Sequence, residues 1–90
     1  MTVNYREVER TVEFDPVGDG WVYRVVDTEY GVLVKRTAEA DRPMWSHSIL
    51  TQIYQPNANE FVPACRADNP WLPSFADARS VVERQAARQS

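Results

Sequence analysis

The sequence predicts an α+β fold, an antiparallel meander of four to five strands with one C-terminal helix packed on one face. Three observations lead there. Two β-rich runs, Trp21 to Val26 and Val32 to Thr37, flank the short Gly-containing link Asp27-Thr28-Glu29-Tyr30-Gly31, the pattern of a hairpin. Turn-forming clusters punctuate further β-type runs on both sides of it. Only the last fifteen or so residues carry apolar side chains at helical spacing.

In chain order, alternation from Glu7 to Phe14 predicts a half-buried strand, with Val8, Val12 and Phe14 on one side and Glu7, Glu9, Thr11 and Glu13 on an acidic other. The turn formers of Asp15-Pro-Val-Gly-Asp-Gly20 then reverse the chain. In the first hairpin strand Trp21, Tyr23 and Val25 share one face and Val22, Arg24 and Val26 the other. Both faces carry apolar surface, which predicts a central strand. Ala38 to Ser48 reads as a loop, because Pro43 and the charges from Glu39 to Arg42 break the pattern. The β signal resumes at Ile49 to Tyr54, turns at Pro56 to Asn59, and returns as Glu60 to Arg66. Pro63 has no N–H to give a neighbour, so that last strand belongs at an edge.

Asp68 to Pro73 is irregular, since residues before proline are pushed out of the helical region. Ser74 is the N-cap candidate, with Asp77 placed as an Asp variant of the capping box and suited to the positive end of the helix dipole. Phe75, Ala78, Val82 and Ala86 form one stripe with Val81 beside it, and Trp71 and Leu72 are expected to help close the core.

At 90 residues with 43% hydrophobic and 26% charged, the chain has room for one modest core, so residues 1–90 read as a single domain. No run approaches the apolar length of a membrane helix, and the first residues carry no apolar leader segment. The lone Cys65 cannot form an internal disulfide. A cytoplasmic setting without membrane contact is the expectation. Lys35 is the only lysine beside many arginines, a composition that GC-rich bacterial or phage genomes produce.

No signature of catalysis accompanies this fold. A nucleophile would have to be Cys65 with His47, the only histidine, and neither sits in an orienting motif; Cys65 reads instead as a small buried hydrophobe of the last strand. One Cys and one His cannot supply a zinc set, and Asp15, Asp19 and Asp27 lack the spacing of a calcium loop. Gly18 and Gly20 are not followed by the Lys-Ser/Thr of a phosphate loop. No enzyme activity, cofactor or metal is expected.

By elimination the chain reads as a non-catalytic protein-binding module, of the inhibitor or immunity type. Its interface candidates are the acidic row Glu7, Glu9 and Glu13, the loop pair Met44 and Trp45, and Arg24 and Arg36 at the rim. A homodimer fits the same surfaces. The alternative is a nucleic-acid-binding module in which Tyr23, Arg24, Lys35 and Arg36 line the hairpin beside Trp21. A formal charge of −3 counts against that partner, because phosphate binding is driven by excess Lys and Arg.

Overall fold

The computed structural model describes residues 3–8, 10–38 and 51–88. They form six strands, β1 (Tyr5–Val8), β2 (Thr11–Phe14), β3 (Trp21–Thr28), β4 (Gly31–Ala38), β5 (Thr51–Gln55) and β6 (Glu60–Pro63), followed by a 3-10 turn (Ala64–Arg66) and the helix α1 (Phe75–Ala87). The sheet is a meander in the order β1-β2-β3-β4-β5-β6, antiparallel throughout.

The α+β architecture matches the sequence reading, and the strand number does not. The segment predicted as one strand from Glu7 to Phe14 is a hairpin, in which Tyr5 pairs with Phe14, Arg6 with Glu13, Glu7 with Val12 and Val8 with Thr11. Cross-strand side-chain pairs hold such a ribbon. Here the Tyr5 and Phe14 rings lie 5.5 Å apart, and Arg6 Nη2 donates to Glu13 Oε2 at 2.8 Å. Val8 is consequently opposite Thr11 and out of phase with Val12.

The β3–β4 hairpin is tighter than the five-residue link predicted. Thr28 pairs with Gly31, leaving Glu29 and Tyr30 as the turn, and the Thr28 hydroxyl accepts from Tyr30 N–H and donates to Gly31 C=O. Trp21, Tyr23 and Val25 share the inner face as expected, and β3 lies between β2 and β4. The turn from Pro56 to Asn59 and the edge position of Pro63 also match, although the last strand stops at Pro63 and the chain enters the 3-10 turn there.

Helix α1 begins where predicted. Ser74 Oγ accepts from Asp77 N–H and donates to Asp77 Oδ2, closing the cap. Ala78, Val81, Val82 and Ala86 are buried, and they pack on Phe14, Tyr23, Val25, Val32, Val34 and Tyr54 of the inner face. Burying a side chain such as Val34 or Val82 completely stabilises the fold by roughly 1.5–3 kcal/mol. The helix crosses the strands. Phe75 at its start meets Tyr5 and Phe14 at 5.3 and 6.3 Å between centroids, and Arg84 near its end donates to Tyr54 Oη of β5 at 3.2 Å.

A splay between β4 and β5 makes that crossing possible. The two strands pair only over Lys35–Ile53, Arg36–Gln52 and Thr37–Thr51. In the gap beyond, Val32 exchanges both backbone hydrogen bonds with Leu72, at 2.9 and 2.8 Å. Leu72 thus closes the core as predicted, while Trp71 rests against Tyr30 at 5.7 Å between centroids. Gln55, the one buried polar side chain among the described residues, bonds Asp68 at both ends: Oε1 accepts Asp68 N–H at 2.9 Å and Nε2 donates to Asp68 C=O. Gly31 completes the seat, with φ +138° and room for no more than hydrogen, since a Cβ there would lie 2.9 Å from Leu72 O.

Two stability outcomes follow from this seat. Gln55→Ala strands both backbone groups of Asp68 and should lower unfolding free energy by about 1–3 kcal/mol in urea titration. Gly31→Ala combines a disallowed φ with the Leu72 clash and should cost at least ~1–3 kcal/mol by the same measurement. An unchanged midpoint in either variant would show that Asp68 to Leu72 is not seated as described.

Candidate functional site

Strand alternation sends successive side chains to opposite faces, and this divides the predicted site residues into two groups. Glu13 and Arg24 lie on the outer face, away from the helix, in one transverse row that runs Arg6, Glu13, Arg24, Lys35, Ile53, Val62 from β1 to β6. Arg36 lies on the inner face beside Tyr23 and Gln52. The expected positive hairpin surface of Tyr23, Arg24, Lys35 and Arg36 beside Trp21 is therefore two surfaces, with Trp21, Tyr23 and Arg36 on one and Arg24 and Lys35 on the other.

The acidic row also dissolves. Glu7 sits in β1 opposite Val12 and Glu13 in β2 opposite Arg6, so the two do not continue one strand face. Glu9, Met44 and Trp45 lie outside the described residues, as does the side chain of Glu7. His47 lies outside them as well, so the Cys65–His47 pair has no geometry to judge. Cys65 itself is exposed in the 3-10 turn, which corrects its reading as a buried strand residue: Pro63 ends the ladder two residues earlier. Among the described residues no three His, Cys, Asp or Glu side chains group to hold a metal ion.

On the outer face the charges close on themselves. Glu13 takes Arg6 at 2.8 Å and Arg24 at 2.7 Å, one on each carboxylate oxygen. The Arg6 hydrogen bond, opposed by partial desolvation and assisted by Arg24, holds the Glu13 carboxyl below the ordinary glutamate value. Around this trio the face is aliphatic and hydroxylic. Val22, Val26, Leu33, Ile53 and Val62 are half-buried, with Thr11, Thr37 and Thr51 among them. None of these residues belongs to the cluster that the helix covers.

On the inner face, the end that the helix leaves free is organised around Arg36. Its Cζ lies 4.3 Å from the Trp21 ring centroid and 4.1 Å from that of Phe61, so the guanidinium is stacked between two rings. Nε donates to Gln52 Oε1 at 2.7 Å and Nη1 to Tyr23 Oη at 3.3 Å. Tyr23 in turn donates to Asp19 Oδ2 at 2.5 Å, and Asp19 Oδ1 accepts Trp21 N–H at 3.0 Å. The turn before β3 throws Asp19 back onto the sheet through Gly20, at φ +84°. Burial first, and then the bond to Asp19, push the Tyr23 phenol up to about 12 against the opposing influence of Arg36. It stays a neutral hydroxyl at physiological pH and supplies no counter-charge. The sequence reading placed Arg36 at an interface rim and missed this cluster. The signal was available in the parity shared by Trp21, Tyr23, Arg36 and Gln52 once β5 is set beside β4.

The Glu13 trio has a pH consequence with a defined sign. A carboxylate whose folded value is depressed stabilises above its unfolded value and loses that contribution as pH falls from its ordinary 4.5 downward. Melting temperature against pH should therefore fall less steeply on the acid side in Glu13→Gln than in the parent protein. Superimposable acid limbs would sink the assignment.

No helix of the described residues is long and apolar enough to cross a membrane. Comparison of the chain with protein-family models, with curated proteins and with solved structures finds no match.

Proposed function

We propose that the protein is a small non-catalytic binding module whose outer sheet face docks onto another protein. One observation carries this reading. The helix packs on the inner face alone, while the outer face carries Val22, Val26, Leu33, Ile53 and Val62 over β3 to β6, the Val26–Leu33 and Ile53–Val62 cross-strand pairs being separated by Arg24 and Lys35. Half-buried aliphatic side chains with threonines and an ion-paired arginine among them have the mixed composition of a protein interface. Arg24, Lys35, Ile53 and Val62 are held in one register by the strand ladders, so docking on that row orders little that is not already ordered.

Charge supports a protein partner. Arg24 and Arg6 are both engaged by Glu13, which leaves Lys35 as the one cation of that row outside the ion pairs found among the described residues. With Arg6, Arg24 and Lys35 against the single Glu13 carboxylate, the row is modestly positive, and two of its three cations are tied to that carboxylate, which suits a protein surface with acidic groups at its rim better than a polyphosphate backbone. The inhibitor or immunity-type role belongs with this reading, with the sheet face taking the part first given to an acidic strand.

Affinity capture from the native host's lysate, comparing the parent with Leu33→Glu and Ile53→Glu, tests the proposal. A partner retained by the parent should be lost from both variants, since a charge placed under a desolvated anchor costs at least ~2 kcal/mol of binding. Melting temperatures should move little, because both side chains already face outward. Equal retention by parent and variants would remove the outer face from consideration, and sedimentation at rising concentration distinguishes a foreign partner from a second copy of the chain.

A further inference from the structure

We propose that the Arg36 guanidinium is a preformed receptor for a carboxylate, built on the inner face at the end of the sheet opposite to the helix seat. The site is separate from the outer docking face and stands or falls independently of it.

Arginine brings five N–H donors in a rigid planar fork. In this site its plane is fixed from four directions. Trp21 and Phe61 hold the two flat sides at 4.3 and 4.1 Å, Gln52 holds Nε, and Tyr23 holds one hydrogen of Nη1. Two donors are spent on partners among the described residues, which leaves one on Nη1 and two on Nη2, and a carboxylate binds such a fork with two parallel hydrogen bonds. No carboxylate lies within ion-pair distance of Arg36 among the described residues, in contrast with Arg6, Arg24 and Arg79.

The network behind the guanidinium positions it without neutralising it. Gln52 and Tyr23 are neutral acceptors, and Asp19 reaches Arg36 only through the Tyr23 hydroxyl. Direct contact with Asp19 would occupy the fork; an intervening phenol leaves it open. The Trp21 and Phe61 rings replace part of the water around the guanidinium, and a charge-assisted hydrogen bond gains strength as local water is removed. Trp21, Arg36 and Phe61 are each half-buried.

The same charges select the ligand class. Asp19 one residue behind the fork, together with a chain charge of −3, disfavours a phosphate dianion more than a monoanion. A planar monoanionic carboxylate matches both the fork and the field. It can belong to a free organic acid or to an acidic side chain or C-terminus of a peptide.

Titration of the uniformly 15N-labelled protein with sodium acetate, at ionic strength held constant with sodium chloride, tests the proposal by following the Arg36 Nε–H and Trp21 indole N–H signals. Saturable shifts of both are expected, with a Kd of roughly 1–10 mM for so small a probe. A hexaglutamate peptide that reproduces the shifts at least ~10-fold more tightly assigns the carboxylate to a protein partner; equal or weaker binding assigns it to a small acid. Arg36→Lys keeps the charge and loses the fork, and should weaken acetate at least ~10-fold, whereas Arg24→Gln should leave it unchanged. The idea fails if the parent's Arg36 signal only drifts linearly like those of Arg6 and Arg88. It fails equally if sodium phosphate saturates the site at lower concentration than acetate. Both of these readouts come from the parent protein and need no variant to fold.

Discussion

The whole arrangement turns on how β4 and β5 part company. Six strands in a plain meander present two flat faces, and a thirteen-residue helix can cover one only if the chain can pass from the last edge strand back to the middle of the sheet. The passage runs through the splay beyond Lys35–Ile53, where the β4 backbone would otherwise be left without partners. Unpaired buried amides are expensive, of the order of 1–3 kcal/mol each. Leu72 fills that vacancy for Val32, and the Gln55 side chain does the same for Asp68, acting as a detached piece of β ladder. With both ends of the connection held by backbone-type bonds, Pro73 and Ser74 arrive where the cap can form, and the stripe of Ala78, Val82 and Ala86 is aimed at Val25 and Val34.

Covering one part of the inner face leaves its other end to solve a different problem. Tyr23 is almost entirely buried yet carries a hydroxyl, and a buried hydroxyl without partners is unfavourable. Asp19 and Arg36 satisfy it from opposite sides. The guanidinium is therefore a structural lid on the aromatic layer of Trp21, Tyr23 and Phe61 as well as a charged group. A lid of leucine would cover the rings equally well but would leave the Tyr23 oxygen short of a donor. The polar chain Asp19–Tyr23–Arg36–Gln52 links the turn before β3 to β4 and β5, so the geometry of the fork is set by the same contacts that finish the core.

The sequence made the architecture legible because its strongest signals were local and chemically specific. The Ser74–Asp77 cap, the helical stripe, the β3–β4 hairpin, the turn at Pro56 to Asn59 and the edge position of Pro63 each follow from a residue type whose backbone or capping preference admits few alternatives. The β1–β2 hairpin was hidden because Glu9 and Arg10 carry no turn signature, and because alternation looks the same in one long strand as in two short ones. The information that separates the cases is cross-strand: Tyr5 with Phe14 and Arg6 with Glu13 are complementary pairs only when the chain reverses between them. The Arg36 cluster was hidden for a related reason. Its members come from β3, β4, β5, β6 and a turn, and only the register between strands brings them together.

That dependence on register also decides what the basic residues can do. Read along the chain, Arg24, Lys35 and Arg36 form a positive hairpin, the usual opening for a nucleic-acid argument. The pleat assigns Arg24 and Lys35 to one face and Arg36 to the other, and Arg24 shares the Glu13 carboxylate with Arg6. Affinity for a polyanion grows with the number of phosphates neutralised together on one surface, so dividing three cations between two faces weakens that reading more than any single substitution would. A division of this kind favours two chemically different surfaces, one aliphatic and crossed by an ion-paired, modestly positive row, the other a single oriented cation among rings. Under the proposed reading, recognition by such surfaces rests on shape and on one well-placed charge.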